Sequence, residues 1–239
     1  MKGGSVRIEA SRCGPERSGN GGWTAGLLAS HLGGAATVTL RRPPPLGTDL
    51  EVVVEGGARL LDGADLVAEA TVVDTGELGS VDPVDIDTAV AAEPAYRGLL
   101  SHPFPRCFVC GPERDVGDGL RLRPGPTADG NTACTWVPHE AFADDDGTLD
   151  PAYVWAALDC PGGWTADLAG RPMVLGRMTA AVERRARVGE RLVVVGQHLD
   201  TSGRKTRTAT SLYDASGQVV GRAAQLWLSV DPQAFGDRT

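Results

Sequence analysis

The sequence predicts an α+β protein built from two copies of one unit, in which a central helix is wrapped by an antiparallel sheet. The first observation is a repeat: Gly-Gly-Trp-Thr-Ala occupies residues 21–25 and returns at residues 162–166. The second is a similarity between residues 40–54 and residues 182–195, downstream of each motif. The two similarities are offset by 141 and 142 residues, so one small insertion separates them and a tandem duplication is indicated.

In the first copy, a strand is predicted at residues 6–10, followed by a glycine-rich turn that ends at Asn20. Asn20 is a favourable N-cap residue, and we expect it to start a helix at residues 21–31. Alternating apolar residues and runs of valine, separated by turn residues, then predict an antiparallel meander. Its strands are expected at residues 35–42, 49–55, 58–62 and 66–73.

The second copy is predicted from residue 103 onward. Residues 81–102 lie in an acidic, proline- and glycine-rich stretch and are interpreted as a linker between units at 1–80 and 103–239, with one helical turn near residues 96–100. Asp150 as N-cap and Pro151 at the first helical position predict a helix through residue 160. A loop is expected at residues 107–119, and strands at residues 120–123, 132–138, 178–187, 191–200, 205–213 and 219–230.

Composition and charge exclude several classes of partner. The net charge is −8, and the positive residues are scattered singly or as arginine pairs, so neither nucleic acid nor an anionic membrane is expected as a partner. No apolar run has the length of a signal-peptide core or a membrane span, and a cytoplasmic location is expected. Five cysteines, an odd number, fit a compartment in which thiols stay reduced.

Two segments carry a resemblance to a known family. Residues 21–47, which include Arg-Pro-Pro-Pro-Leu-Gly at 42–47, and residues 175–230, which end in the stretch 214–227, resemble acyl-CoA thioesterases of the double-hotdog kind. The resemblance implies a tandem hotdog fold, an acyl-CoA or related thioester as substrate, and no cofactor. Because hotdog units pair through their sheets, a homo-oligomer is expected.

Asp159 is the first predicted catalytic residue. It lies in the apolar stretch Trp-Ala-Ala-Leu-Asp-Cys at residues 155–160, directly before Pro161, and a carboxylate beside an apolar core requires a reason. The resemblance implies that it orients the attacking water. The alternative is a local role at the C-terminal end of the helix.

Gln225 and a hydroxyl residue complete the catalytic set that the resemblance implies. Gln225 is a polar amide among apolar neighbours in the last predicted strand, and it would help to hold the water. Thr179 is the predicted hydroxyl partner, with Thr165 as the other candidate, because Leu175 stands near the position of the family's threonine. A buried glutamine that bonds to backbone groups is the alternative interpretation of Gln225.

Thioester hydrolysis also needs hydrogen-bond donors that polarise the carbonyl. Amides at the positive end of a central helix can supply them, and glycine lets the carbonyl approach closely. The alternative is that paired glycines only permit tight packing of helix on sheet. The predicted substrate-binding residues are Asn20, Gly21, Gly22, Gly162, Gly163, Trp155 and Trp164.

The cysteines give no predicted metal site. Cys107-x-x-Cys110, with His102 upstream, has the spacing of a zinc knuckle, but the other three cysteines stand at no characteristic spacing from it. Cys-Gly-Pro-Glu-Arg occurs at residues 13–17 and again at 110–114, which does not fit the offset of the duplication. Two loops that contact phosphate are one interpretation of this second repeat, and coincidence is the other.

These observations predict an acyl-CoA thioester hydrolase whose water is activated by an Asp/Gln pair in the C-terminal unit. The alternative is a non-catalytic protein of the same fold that binds acyl-CoA or another hydrophobic ligand. A scaffold or assembly subunit is the third interpretation, because paired hotdog units associate further.

Overall fold

Eleven antiparallel strands form one continuous sheet, and two central helices lie side by side against one of its faces. The computed structural model describes residues 2–231, so residue 1 and residues 232–239 of the predicted units lie outside the described part. The first half contains β1 (Lys2–Arg7), α1 (Gly21–Ala29), β2 (Ala36–Leu40), β3 (Asp49–Val54), β4 (Ala58–Asp62) and β5 (Asp65–Val72). The remainder contains α2 (Ile86–Ala92), β6 (Gly125–Pro126), β7 (Thr132–Trp136), α3 (Pro151–Gly163), β8 (Met173–Val182), β9 (Leu192–Ser202), β10 (Lys205–Tyr213) and β11 (Val219–Ser229).

The strand order places the two copies on either side of one central strand pair. The order is β1-β3-β4-β5-β2-β8-β11-β10-β9-β7-β6, and the antiparallel pair β2·β8 joins the halves. Thr37 lies opposite Thr179 in that pair, and these two residues are separated by the offset of the duplication. Each copy is a helix wrapped by an antiparallel sheet, so the predicted fold class is confirmed.

The repeated Gly-Gly-Trp motif does not occupy equivalent positions, and this part of the duplication argument is wrong. Residues 21–23 begin α1, whereas residues 162–164 end α3. The reason is that Asp150 and Pro151 start the second helix well before its motif. The strand segments do keep the repeat, because Gly47 and Gly189 each form a turn with a positive φ, at 69° and 73°.

The two central helices pack antiparallel and in close contact. Asn20 caps α1 as predicted, and its side chain accepts a hydrogen bond from the Trp23 N–H. Gly22 faces Asp159 and Trp155, and Gly26 faces Ala152 one turn farther along α1 and earlier in α3. Glycine at these two positions allows the helix backbones to approach each other.

The predicted linker is ordered against the second copy. α2 was not expected there, although the helical turn expected near residues 96–100 is present as a short turn at Arg97–Leu99. Val81 and Ala89 pack with Val193 and Tyr213, so this segment covers the outer strands of the second half. No helix within residues 2–231 combines the length and apolar character needed to cross a membrane.

Three strand predictions differ from the structure. The first strand is β1 rather than residues 6–10, and β8 begins five residues earlier than residue 178. Residues 120–123 form no strand, and the short β6 follows them instead. The N–H groups of Leu120 and Leu122 bond to the carbonyls of Phe108 and Val109, so this stretch pairs with the preceding loop rather than with the sheet.

Candidate functional site

Asp159 lies buried at the contact between α3 and the N-terminal end of α1. Its carboxylate oxygen Oδ2 accepts hydrogen bonds from the Asn20 Nδ2 and the Gly22 N–H, each at 3.0 Å. The other oxygen, Oδ1, is buried and has no hydrogen-bond partner among the described residues. The predicted catalytic residue Asp159 therefore contacts the predicted binding residues Asn20 and Gly22. One of its carboxylate oxygens accepts both hydrogen bonds, and the other accepts none from the described residues.

The sequence explains why these three residues come together. Because Asn20 Oδ1 caps α1, the Nδ2 of the same side chain points away from the helix and toward Asp159. The first amides of a helix have no acceptor within the helix, which leaves the Gly22 N–H free to bond to a carboxylate. A side chain at Gly22 would prevent this approach, since an added Cβ would lie 2.6 Å from the Asp159 Cβ.

The environment of Asp159 disfavours its charged form. Burial raises the pKa of Asp159 to about 7, while the hydrogen bonds from Gly22 and Asn20 act in the opposite direction. Asp159 and Asn20 are each only 2% exposed. A buried carboxyl group whose pKa lies near neutral pH is typical of functional sites, and some structural carboxyl groups share this property.

Gln225 lies beneath α3, and its amide is fully used by protein groups. Its Nε2 donates to the Leu158 carbonyl at 2.7 Å and to the Thr210 Oγ1 at 2.5 Å, and its Oε1 accepts from the Thr208 hydroxyl at 2.9 Å. The Leu158 carbonyl also accepts from the Thr210 hydroxyl. This is the alternative interpretation of a buried glutamine bonded to the backbone, and no hydrogen bond in the described structure joins Gln225 to Asp159.

Thr179 lies on the opposite face of the sheet from Gln225. Residues paired directly across an antiparallel ladder point to the same face, and Thr179 pairs with Ala224, whereas Gln225 pairs with Met178. The Thr179 hydroxyl bonds to that of Thr37 at 2.8 Å. The expectation that Thr179 joins Gln225 and Asp159 in one site is therefore wrong.

The second candidate hydroxyl and the second glycine pair belong to the C-terminal end of α3. The Thr165 hydroxyl donates to the Gly162 carbonyl at 2.7 Å and caps the helix. A Cβ at Gly162 would lie 2.6 Å from the Thr208 Oγ1, and one at Gly163 would lie 3.0 Å from the Trp227 ring. The prediction that these glycines offer helix-start amides is wrong, because they lie in the last turn of α3 rather than its first, and they serve close packing.

The two predicted binding tryptophans have different surroundings. The Trp155 carbonyl lies at the helix contact, where a Cβ at Gly22 would come within 2.7 Å of it. Trp155 also lines a cavity of about 270 Å³ near Arg184 and Arg185. The Trp164 indole donates to the Cys110 Sγ at 3.4 Å, so this side chain belongs to a thiol cluster instead.

Three cysteines converge next to Asp159. The Sγ atoms of Cys107, Cys110 and Cys160 all lie within 4.8 Å of one another, and all three residues are buried. Hydrogen bonds from the other two thiols lower the pKa of Cys107 well below its usual value. Spacing along the chain did not reveal this cluster, because Cys160 comes from α3 and joins the Cys107-x-x-Cys110 loop only in the folded chain.

The second sequence repeat forms an internal contact. Arg114, which is 5% exposed, donates to the Cys13 Sγ at 3.1 Å and to the Arg106 carbonyl at 2.8 Å, and it pairs with Asp118. The two Cys-Gly-Pro-Glu-Arg segments are thus joined through the first residue of one and the last residue of the other. The interpretation of Arg114 as a phosphate-binding side chain does not agree with these contacts.

Arg12 is enclosed by aromatic rings just before α1. Its guanidinium carbon lies 4.4 Å from the ring centre of Phe108, 5.1 Å from that of Trp23, 5.2 Å from that of Phe142 and 5.6 Å from that of Tyr153. The Tyr153 hydroxyl accepts a hydrogen bond from the same guanidinium at 3.0 Å. These cation–π contacts connect the loop before α1 to α3 and thereby fix the approach to Asn20.

Comparison with known proteins agrees with this architecture. No protein-family model and no curated protein matches the chain. Among solved structures, a proposed thioesterase from Novosphingobium aromaticivorans has a TM-score of 0.63 at 16% identity, with 95% of each chain covered. A TesB protein from Mycobacterium avium subspecies paratuberculosis has a TM-score of 0.57 at 14% identity, covering 95% of this chain and 92% of the other. A hot dog fold protein of unknown function from Alicyclobacillus acidocaldarius has a TM-score of 0.55 at 14% identity, covering 95% and 93%.

The class defined by these findings is the double hotdog. The chain has this fold over nearly its whole length, and in particular it resembles TesB-like thioesterase structures.

Proposed function

We propose that this protein hydrolyses acyl-CoA thioesters and that Asp159 orients the attacking water. The observation that carries the proposal is the asymmetric use of the Asp159 carboxylate, in which Oδ2 is fixed by Asn20 and Gly22 while Oδ1 has no partner in the described structure. A buried oxygen without a partner is costly unless it serves a ligand. The likeness to structures named as thioesterases supports a thioester as substrate.

In the proposed reaction, a water molecule held by Asp159 Oδ1 attacks the thioester carbonyl and gives its proton to the carboxylate. The carbonyl oxygen gains negative charge, which the Gly21 amide at the positive end of α1 stabilises, while the Gly22 N–H stays on Asp159 Oδ2. The C–S bond then breaks, the CoA sulfur takes the proton, and the products are a carboxylic acid and free CoA.

Gln225 has a positioning role in this proposal. It anchors the carbonyl of Leu158, the residue directly before Asp159, and so fixes α3 on the sheet. In this proposal only Asp159 contacts the water, and Gln225 acts indirectly by holding α3 in place. Thr179 takes no part, since it lies on the other face of the sheet.

The test measures release of CoA from a panel of short, long and aromatic acyl-CoAs, with chromatography as the method of detection. Asp159→Asn is nearly isosteric and can still accept from Asn20 and Gly22, so the fold is expected to persist. Its turnover is expected to fall by about 10²–10⁴-fold, the range for removing a group that moves a proton in the transition state. Asp145→Asn changes an exposed carboxylate and is the matched control, with wild-type turnover expected. Full activity of Asp159→Asn would remove Asp159 from the mechanism.

A non-catalytic acyl-CoA binding protein is the second candidate. The enclosure of Asp159 and Asn20, each 2% exposed, favours it because a substrate must open the site to reach them. Calorimetric binding of acyl-CoA by the wild type, without any release of CoA, would establish this alternative and exclude hydrolysis.

A further inference from the structure

The thiols of Cys107, Cys110 and Cys160 form a cluster that takes no part in the chemical steps of the proposed hydrolysis. Their Sγ atoms lie within 4.8 Å of one another, and the distance from Cys107 Sγ to Cys160 Sγ is 3.7 Å. A tetrahedral zinc ion with Zn–S bonds of about 2.3 Å separates its sulfur ligands by about 3.8 Å. The distance between the Cys107 and Cys160 sulfurs therefore matches that of two ligands on one zinc ion, and the Cys110 sulfur lies within 4.8 Å of both.

A candidate for the fourth ligand, His102, lies beside Cys110. The His102 Nε2 lies 3.3 Å from the Cys110 Sγ, and the imidazole packs edge-on against Trp164 and Tyr96. We propose that Cys107, Cys110, Cys160 and His102 bind one zinc ion. Cys₃His is a ligand set typical of structural zinc sites, and Cys107-x-x-Cys110 has the spacing of a zinc knuckle.

Neighbouring donors fit sulfur atoms that carry negative charge. The Trp164 indole N–H points at the Cys110 Sγ at 3.4 Å, and the Asn20 amide points at the Cys107 Sγ at 3.9 Å. Hydrogen bonds of this kind orient metal ligands and moderate the charge of thiolates.

Zinc binding by His102 requires one local change. Ligation through the His102 Nε2 places the ring proton on Nδ1, so the Phe104 N–H, which now donates to Nδ1 at 2.9 Å, must give up that acceptor.

Four protein ligands leave no open position, so the ion is structural. It joins the loop that carries residues 102–110 to the C-terminal part of α3, one residue from Asp159. Zinc ligands must be deprotonated, and the free energy of binding contributes directly to folding.

The first test measures metal in the full-length wild type, produced with a tag that binds no metal. About one zinc per chain is expected by mass spectrometry after dialysis. Replacement by Co²⁺ is expected to give the strong sulfur-to-cobalt charge-transfer absorption of thiolate ligands together with tetrahedral ligand-field bands. Absence of bound zinc, together with a cobalt spectrum that shows no thiolate absorption, overturns the proposal without requiring any variant to fold.

Variants assign the ligands. Cys110→Ser and Cys160→Ser are expected to weaken zinc binding more than about 100-fold, the upper end of the effect of losing an outer-shell partner. Cys134→Ser changes a buried thiol in β7 outside the cluster and is the matched control, with unchanged zinc content expected. His102→Gln is expected to shift the cobalt ligand-field bands, and an unchanged spectrum would remove His102 from the ligand set. Zinc binding that is equal in the Cys110, Cys160 and Cys134 variants would contradict the site.

Discussion

Gly22 lies at a close contact between α1 and α3, and its replacement by alanine tests the packing of the two central helices. An added Cβ would lie 2.6 Å from the Asp159 Cβ and 2.7 Å from the Trp155 carbonyl oxygen. Overpacking of a close-packed site costs about 1–3 kcal/mol. Alanine gains about 0.5–1 kcal/mol over glycine in a helix, which offsets only part of that cost. Gly22→Ala is therefore expected to lose about 1–2 kcal/mol of unfolding free energy.

Urea and thermal unfolding measure this effect. For a chain of this size, 1 kcal/mol corresponds to about 2–4 °C, so the melting temperature is expected to fall by about 2–8 °C. Gly79→Ala is the control, since a Cβ there meets no atom within 4 Å. A Gly22→Ala protein as stable as the control would refute the close helix contact.

Gly26→Ala separates packing from chemistry. Its Cβ would lie 2.7 Å from the Ala152 Cα, so a similar loss of stability is expected, but the residue does not contact Asp159. Turnover measured below both melting temperatures is expected to fall more in Gly22→Ala than in Gly26→Ala. Equal turnover in the two variants would contradict a catalytic role for the contact between Gly22 and Asp159.

Two further predictions concern the sheet. Thr179→Val is expected to leave turnover, measured as CoA release, within about twofold of wild type, and a large loss would restore that residue to the site. Gln225→Leu leaves the buried Thr208 hydroxyl without its acceptor, while the Thr210 hydroxyl keeps the Leu158 carbonyl. It is expected to lower the unfolding free energy, measured by urea unfolding, by about 1–3 kcal/mol. The Ser216 hydroxyl, with the Gln218 N–H and Arg184, lowers the pKa of Asp214 to about 2. Because this pKa lies below that of the unfolded chain, the contribution of Asp214 to stability is present above about pH 4 and lost as the pH falls toward 2. The difference in unfolding free energy between wild type and Asp214→Asn is expected to shrink over that range, and a difference independent of pH would contradict the assignment.

Local patterns predicted most of the elements that position the site. Asn20 before a helix and Asp150-Pro151 before another have direct stereochemical reasons, and both helices start where these residues indicate. The strands of the first meander and the hairpins of the second copy follow from alternation and turn residues in the same way. The two Gly-Gly-Trp motifs were wrongly predicted to be equivalent, because sequence similarity alone does not show which end of a helix a motif occupies.

The site was less predictable because its contacts join distant parts of the chain. Asp159 was identifiable as a carboxylate in an apolar stretch, but its bonds to Asn20 and Gly22 depend on the antiparallel packing of α1 and α3. Register along the chain placed Leu175 at the position of the family's threonine, and Thr179 was chosen as a threonine four residues later. The side of the sheet to which a strand residue points changes with a shift of one residue. Cys160 has no recognisable spacing from Cys107, since helix packing brings the two together.

Asn20 connects the two candidate sites. Its Nδ2 lies 3.0 Å from the Asp159 Oδ2 and 3.9 Å from the Cys107 Sγ, while its Oδ1 caps α1. Asp159 and Cys160 are consecutive in α3, so an ion bound at Cys160 and Cys107 would limit the movement of the carboxylate relative to the end of α1. A proton-transfer group must keep hydrogen-bond distance to its water. In the proposed reaction, zinc at the thiol cluster would fix the position of Asp159 without contacting the substrate.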